Sequence, residues 1–278
     1  MATTHDRSGD ENVKLIAGAR SDVGKVRSHN EDSYLVGKRI WAVADGMGGH
    51  AAGEVASTIV TERLRAQDRR GALDLDVITH VIDAINEAIL EHGRTHPAAL
   101  GLGSTVSGIA STRLGDVRHW IVFNIGDSRV YRYANGRLTR ETVDHNEAEE
   151  LIESGELDPE QAKTHPSRSV LTRALGSVPG PQPDVLVLPQ RRDDTFLICS
   201  DGLTSEVPDS VLLETLRDYQ APDEAADRLV QLALDNGAKD NVTAIVVAVR
   251  SGNDTDTPTE ESVETTIPKA ELQVLNEH

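Results

Sequence analysis

The chain has 278 residues, and its 46 acidic and 28 basic side chains give a formal net charge of −18. This length allows one large domain with a substantial core. So acidic a surface repels nucleic-acid phosphates and anionic lipids, which disfavours a general nucleic-acid or membrane-surface role. Divalent cations and basic protein segments are more suitable partners.

The single cysteine, Cys199, cannot form an internal disulfide, and no basic segment followed by an apolar one opens the sequence. The longest apolar run, Ala244–Val249, is too short to cross a bilayer. We therefore expect a cytoplasmic monomer without membrane insertion.

Both ends of the chain are predicted to be disordered. Residues 1–12 are polar without periodicity, and residues 251–278 carry seven acidic side chains against one lysine and few large apolar groups. The predicted folded domain therefore covers residues 13–250.

Strands dominate the middle of this domain, and helices come in blocks. Short turn signals such as Asn135-Gly136 separate several β-rich runs, which indicates antiparallel hairpins. Helical periodicity covers about 50–68, 74–93 and 208–237. The predicted fold class is α+β, with two antiparallel sheets packed face to face and helices outside. The β-rich runs are Lys14–Ala19, Ile40–Ala44, Ser104–Ser111, Val117–Asn124, Ser128–Tyr133, Val185–Leu188, Thr195–Ser200 and Val242–Val249.

Residues 144–176 differ from their surroundings, because they have little to contribute to a core. They contain a short acidic helix at Asn146–Ser154 and a loop at His165–Ser169. We interpret the segment as a surface insertion, which is either an ordinary excursion or a flap over a site.

Four aspartates stand at the ends of apolar runs. Asp45-Gly46 and Asp201-Gly202 each follow a buried run, Asp240 precedes the last run, and Asp127 lies between two runs. If these ends converge, several carboxylates share one pocket and repel one another unless cations are present. All-oxygen ligation is what Mg²⁺ and Mn²⁺ prefer, so the pattern predicts a divalent metal site.

A charged loop, Arg27–Asp32, adds two carboxylates and a guanidinium near the front of the chain. The planar guanidinium group of Arg27 can hold a phosphoryl group through paired hydrogen bonds. Alone, the loop would be interpreted as a solvated turn.

The sequence resembles the metal-dependent protein serine/threonine phosphatases of type 2C, the PPM family, in their bacterial form. The resemblance covers about residues 14–249 and implies a four-layer α/β/β/α sandwich with two central antiparallel sheets. The motifs that carry it are Arg20-Ser21-Asp22-Val23-Gly24, Arg27 to Asp32, Asp45-Gly46-Met47-Gly48-Gly49-His50, Gly103-Ser104-Thr105, Gly126-Asp127-Ser128-Arg129, Leu171-Thr172-Arg173-Ala174-Leu175-Gly176, Ser200-Asp201-Gly202 and Asp240-Asn241.

The resemblance also implies a ligand set for two or three Mn²⁺ or Mg²⁺ ions. Asp45 would bridge two ions, the carbonyl of Gly46 would bind one of them, and Asp201 and Asp240 would complete the other. Asp127 would join Asp201 at a weaker third ion. Two ions about 3.5–4 Å apart can generate a hydroxide at neutral pH and align it for in-line attack.

The remaining roles concern the substrate and the waters around the ions. By the same resemblance, Arg27 would hold the substrate phosphate. Glu31 and Asp32 would orient metal-bound waters, and Asn241 would support the centre without binding a metal.

Two positions depart from the family pattern. Met47 stands where relatives often place a histidine that protonates the leaving group, and His50 is expected at the start of the next helix. Asn146 stands where bacterial relatives usually have a serine.

Cys199 lies inside a predicted strand, which indicates a buried structural thiol.

Two alternatives remain at this point. Gly46 to Ala51 fits the dinucleotide fingerprint G-x-G-x-x-A, although no second strand ending in an acid follows. A phosphoprotein-binding module of the same fold without catalysis is also possible, although the metal-bridging aspartate is retained. We expect a phosphatase for phosphoserine and phosphothreonine on proteins, which opposes bacterial serine/threonine kinases.

Overall fold

The computed structural model describes residues 13–48, 52–71, 73–99, 101–162 and 165–251. The predicted disorder of the two ends therefore lies outside the described residues. The strands are β1 (Val13–Asp22), β2 (Asp32–Val36), β3 (Ile40–Met47), β4 (Gly103–Ser104), β5 (Val106–Leu114), β6 (Val117–Ile125), β7 (Arg129–Ala134), β8 (Arg137–Arg140), β9 (Asp184–Pro189), β10 (Thr195–Cys199) and β11 (Val242–Ser251). The α-helices are α1 (Ala52–Asp68), α2 (Leu75–Thr95), α3 (Glu147–Glu153), α4 (Pro159–Ala162), α5 (Asp201–Glu206), α6 (Asp209–Asp218) and α7 (Pro222–Asp235).

The strands form two antiparallel sheets. Sheet I has the order β1-β11-β10-β7-β8, and sheet II has the order β2-β3-β5-β6-β9, with β4 paired to the end of β3. The last strand of the chain, β11, pairs with the first strand and with β10. Sheet I is therefore completed by both ends of the folded domain.

Alternating side chains on buried strands build three apolar layers. On β3, Ala42 and Ala44 pack toward α1 and α2, whereas Trp41 and Val43 pack toward sheet I. On β10, Leu197 faces the cluster formed with α5 to α7. The order is helices, sheet II, sheet I, helices, which confirms the predicted four-layer α/β/β/α sandwich.

Aromatic rings pack between the two sheets at the centre of the molecule, where Trp120 of sheet II meets Phe196 of sheet I. The ring centroids of Trp41 and Trp120 lie 5.9 Å apart, and those of Trp120 and Phe196 lie 5.2 Å apart, both edge to face. Such pairs contribute about 0.5–1.5 kcal/mol each beyond their buried area. The strand ends that carry the polar loops are thereby fixed relative to one another.

Helix α2 shows how the sequence positions the outer layer on sheet II. Ile78, Ile82, Ile85 and Ile89 recur at helical spacing and are fully buried. Asp74 caps the helix by accepting a hydrogen bond from the backbone N–H of Val77 at 2.8 Å.

The structure adds four elements that the sequence did not predict: β2, β8, α4 and α5. Both strands lie at sheet edges, where polar and charged residues are common, so their apolar alternation is weak. Helix α5 has only six residues, too few for a periodic signal. The predicted hairpin at Asn135-Gly136 is confirmed, with positive φ angles of 51° and 75°.

The segment 144–176 lies on the surface with few buried side chains. Its acidic helix is α3, and Asn146 caps it by accepting from the backbone N–H of Glu149 at 2.9 Å. Within the described part of 144–176, the buried residues are Asp144, His145, Asn146, Ala148, Ala162 and Leu175, so the segment is anchored mainly at its two ends. A flap role for the segment stays a prediction.

No helix in the described part of the chain is both long and apolar enough to cross a bilayer.

Candidate active site

Five aspartates converge where the two sheets end side by side. Asp32 on β2 lies directly opposite Asp45 on β3. Asp201 is the first residue of α5, Asp240 immediately precedes Asn241 and β11, and Asp127 joins β6 to β7. The four predicted metal ligands with carboxylate groups are thus brought together. One detail differs from the prediction, because Asp45 lies within β3 and not after it.

Burial and mutual repulsion raise the pKa of the Asp32, Asp45, Asp127 and Asp201 carboxyl groups. Burial, followed by the charges of Asp32, Asp201, Asp127 and Asp240, raises the pKa of Asp45 well above its ordinary value. Burial is also the largest cause for Asp32, whose pKa rises to about 7, and for Asp127, whose pKa rises to about 8. Bound cations would relieve this repulsion and favour the ionised forms.

Asp32 is held from one side only. The hydroxyls of Ser200 and Thr243 donate to its Oδ2 at 2.7 Å and 2.6 Å. Its Oδ1 is buried and has no hydrogen-bond partner among the described residues. An unpartnered buried carboxylate oxygen that faces other carboxylates suits a cation or a cation-bound water. The two hydroxyls were not predicted to belong to the site, and only their closeness to Asp201 and Asp240 in sequence could have indicated it.

The backbone around Asp45 is fixed by the short strand β4 and the residue after it. Thr105 Oγ1 accepts from the Asp45 N–H at 3.0 Å, and the Thr105 N–H donates to the Asp45 carbonyl at 2.9 Å. Ser104 Oγ donates to the same carbonyl at 3.1 Å. These bonds leave the Asp45 carboxylate as the part of the residue available to a ligand.

Gly46 makes a close backbone approach to the start of α1. A Cβ atom at this position would lie 2.0 Å from the carbonyl oxygen of Gly53 and 2.7 Å from that of Glu31. Only glycine fits there. The Gly46 N–H donates to the Glu31 carbonyl at 3.1 Å. This contact helps to fix the residue whose carbonyl is predicted to bind a metal.

The loop that carries Arg27 rests on the loop that carries Asp240. Gly24 has a φ of +77°, and a Cβ there would lie 2.2 Å from the Asp240 carbonyl oxygen. Asn241 donates from Nδ2 to the carbonyls of Val23 at 3.0 Å and His29 at 2.9 Å. The predicted supporting role of Asn241 therefore has a physical basis in these contacts.

Arg27 reaches the carboxylate cluster from this loop. Its Nη2 donates to Asp240 Oδ2 at 2.8 Å, while 54% of its side chain stays exposed. The guanidinium thus lies at the open edge of the cluster, where it can exchange a carboxylate for a phosphate. Glu31 lies on the same loop, and its backbone N–H donates to Asn241 Oδ1 at 2.8 Å. Its role in orienting water stays a prediction.

A cavity of about 260 Å³ adjoins the cluster between sheet I and the segment 144–176. Asp127 and Asp201 line one side of it, and His165 and Arg168 come from the surface segment. Arg129 and Asp144 also line the cavity. The Arg129 guanidinium donates two hydrogen bonds to the Asp144 carboxylate, from Nε to Oδ1 at 2.9 Å and from Nη2 to Oδ2 at 2.6 Å. This buried ion pair lay in a predicted motif, although no function was predicted for it.

Cys199 is fully buried, and burial raises the pKa of its thiol to about 12, which confirms a structural thiol. Met47 packs beside Gly103 on β4, and His50 lies outside the described residues. The dinucleotide alternative is wrong, because β3 has antiparallel neighbours and α1 leads into a second helix.

The donor atoms fit hard divalent ions. Among the described residues, no three histidine, cysteine, aspartate or glutamate side chains form a closed cage for a single ion. An ion would instead share carboxylates in pairs and take the Gly46 carbonyl and water as further ligands. Mg²⁺ and Mn²⁺ accept such incomplete all-oxygen shells because they retain several waters.

Comparisons with known proteins agree with this geometry. The family model described as Protein phosphatase 2C matches residues 25–246. The serine/threonine protein phosphatase PstP of Mycobacterium tuberculosis is 42% identical over 241 residues, which are 84% of this chain and 45% of PstP. The chain thus spans about half the length of that relative. The serine/threonine phosphatase stp of Listeria welshimeri is 34% identical over 84% of this chain and 95% of its own.

A solved structure of the same family has a similar fold. The catalytic domain of PstP in complex with two manganese ions superposes with a TM-score of 0.78 at 37% identity, over 86% of this chain and all of that domain. The family match and the shared fold confirm the resemblance that the motifs indicated. The chain belongs to the protein phosphatase 2C family.

Proposed function

We propose that the chain is a Mn²⁺- or Mg²⁺-dependent protein phosphatase that hydrolyses phosphoserine and phosphothreonine monoesters. The observation that carries this proposal is the convergence of Asp45, Asp127, Asp201 and Asp240 beside the exposed guanidinium of Arg27. Family membership supports it, and so do the relatives named as serine/threonine phosphatases.

The carboxylates would hold two ions, and a third where Asp127 and Asp201 meet. When bound, the ions would activate a water for in-line attack on phosphorus and neutralise charge on the phosphoryl oxygens. Asp45, clamped at its backbone by Thr105, would provide the shared carboxylate. Asp32, fixed by two hydroxyls, would keep a free oxygen directed at the incoming water.

Arg27 would receive the substrate. Its guanidinium can leave the Asp240 carboxylate and form paired hydrogen bonds with two phosphoryl oxygens. Because Asn241 anchors the loop on both sides of Arg27, the side chain would start from a defined position and lose little entropy on binding.

Substrates would be phosphoproteins, including serine/threonine kinases and their targets in a bacterial cytoplasm. The cavity beside the cluster and the segment 144–176 offer surface for the residues that flank the phosphate. A binding module without catalysis is disfavoured, because Asp45, Asp201 and Asp240 are all retained.

The test is hydrolysis of a phosphothreonine peptide by the purified chain with Mn²⁺, with Mg²⁺ and with a chelator. We expect turnover only with metal. Asp45→Asn should abolish turnover, whereas Asp116→Asn, an equivalent change in the hairpin between β5 and β6, should leave it intact. Metal-dependent turnover that persists in Asp45→Asn would refute the assignment. A folded chain that binds phosphopeptide without turnover under either metal would support the binding module.

Arg27→Ala gives a second, separate readout. It should raise KM with a smaller effect on kcat, because it removes a phosphate contact and leaves the metal ligands in place. A large loss of kcat at unchanged KM would contradict the phosphate-binding role.

A further inference from the structure

A buried histidine that the proposed chemistry does not use bonds to the loop that carries Asp127. His145 lies between β8 and α3, and only 2% of its surface is exposed. Its backbone N–H donates to the Gly126 carbonyl at 2.9 Å, and the Gly126 N–H donates to Nδ1 of its imidazole at 3.1 Å. The side chain thus holds the peptide that joins Ile125 to Gly126, and the backbone N–H holds the peptide that joins Gly126 to Asp127.

The bond from Gly126 fixes the tautomer of the ring. A backbone N–H only donates, so Nδ1 carries the lone pair and the hydrogen of the neutral ring is on Nε2. Nε2 lies 3.2 Å from Asp184 Oδ2, but it has no hydrogen-bond partner among the described residues. The hydrogen bond that orients the imidazole is therefore the one from Gly126.

The other side of the Asp127 loop is held without His145. The Ser128 hydroxyl lies 2.9 Å from Thr105 Oγ1, and the Ser128 carbonyl accepts from Ser107 Oγ at 2.6 Å. Asp127 therefore lies between a residue anchored on sheet II and a residue anchored on His145.

Loss of the imidazole would act on the Gly126 side of this loop. A buried backbone donor without an acceptor is unfavourable, so the peptide would turn toward another partner. Gly126 has a φ of +102°, and the absence of a side chain allows it many other backbone conformations. Because Asp127 is the next residue, its carboxylate would move with this change.

Such a movement matters because Asp127 shares a cavity with Asp201. An ion that both carboxylates bind tolerates little displacement, since Mg²⁺ requires bonds of about 2.0–2.1 Å in a near-ideal octahedron. Groups that orient metal ligands typically change metal affinity by about 10–100-fold when they are removed.

We propose that His145 is a positioning residue for Asp127 and thereby sets the affinity of the weaker, third metal position. The inference rests on the proposed function, because that function places an ion where Asp127 and Asp201 meet. It assigns a role to a buried imidazole that touches neither metal nor substrate.

The test counts bound Mn²⁺ in the full chain by electron paramagnetic resonance, which detects the free ion, over a titration that resolves tight and weaker positions. Two substitutions separate acceptor from volume. In His145→Asn the amide oxygen reaches the place of Nδ1 and can still accept from Gly126, whereas in His145→Gln the amide reaches the place of Nε2 and fills more of the space. The matched control is His119→Gln, on β6, the strand that leads into the Asp127 loop.

Wild type and His119→Gln should bind Mn²⁺ equally, and Asp127→Asn should lack the weaker position. His145→Gln should weaken that position by about 10-fold or more and leave the tight positions unchanged. His145→Asn should stay close to wild type. If packing alone mattered, the order of the two His145 variants would be reversed, because asparagine leaves the larger void.

Equal weakening in both His145 variants, or wild-type binding in His145→Gln, would overturn the proposal. Two tight ions with metal-dependent turnover would then still support the proposed function, whereas a wild-type chain that binds no Mn²⁺ would refute both. Nitrogen-15 NMR of the metal-free wild type gives a check that needs no variant. Nδ1 of His145 should be unprotonated, and the Gly126 amide should shift with the weaker phase of a Mg²⁺ titration. A protonated Nδ1, or a Gly126 amide that does not respond to this phase, would overturn the proposal.

Discussion

The buried carboxylates should make the metal-free protein less stable as pH rises. Asp32 has a pKa raised to about 7 in the folded chain, against an ordinary value of 3.8. The folded state therefore holds a proton that the unfolded state releases. The associated stability is fully present below the ordinary pKa and is lost as pH rises through about 7.

The size of the effect follows from proton linkage. Stability falls by about 1.4 kcal/mol per pH unit for each proton that the folded state retains. Between about pH 5.5 and its folded pKa of about 7, Asp32 alone accounts for a loss of about 2 kcal/mol in the free energy of unfolding. Asp127, with a pKa raised to about 8, acts in the same direction over a slightly higher range.

Urea unfolding of the chelator-treated protein at several pH values between about 5.5 and 8.5 measures this loss. Mn²⁺ should raise stability most at the alkaline end, because a bound cation replaces the protons. Asp32→Asn should make the pH dependence of the metal-free protein less steep, since the amide does not titrate, while Asp127 still contributes. A metal-free protein whose stability is constant or rises over this range would refute the electrostatic reasoning.

Three further predictions, two on substitutions and one on chemical labelling, follow from the packing of these residues. Gly46→Ala should lower the free energy of unfolding by about 1–3 kcal/mol in urea titrations, because its Cβ would meet the Gly53 carbonyl at 2.0 Å; an effect near zero would contradict the close approach. Asn241→Ala removes the anchors of the Arg27 loop, so steady-state assays should give a larger change in KM than in kcat; an unaltered KM would count against loop anchoring. Cys199 should resist maleimide in the native protein and react in denaturant, and rapid native labelling followed by mass spectrometry would show that the thiol is accessible.

The sequence predicted the core of the fold because buried strands and helices are apolar at regular intervals. Runs such as Ile40–Ala44 and Val242–Val249 are covered on both faces, so their signal is strong. Strand β2 was not predicted: its first residue, Asp32, was assigned to the charged loop Arg27–Asp32, and its Tyr34 and Val36 are exposed at a sheet edge. Its position depends on pairing with β3, which no local pattern encodes.

The candidate site was predictable where a single residue type recurs at strand ends, as with Asp45, Asp201 and Asp240. What could not be predicted is the support around them. The hydroxyls of Ser200 and Thr243 meet Asp32 across more than a hundred residues of chain, so only the folded structure reveals the contact. The pairing of Arg27 with Asp240 is hidden for the same reason.

The strand order of sheet I has a consequence for biosynthesis. Among the described strands, β1 is made before all others, but its only partner in that sheet is β11, which is made after all others and follows Asp240 and Asn241. A nascent chain that still lacks β11 can complete neither sheet I nor the carboxylate cluster. The proposed metal site would therefore be completed in one late step, and a ribosome-bound chain that stops before residue 242 should lack the proposed phosphatase activity.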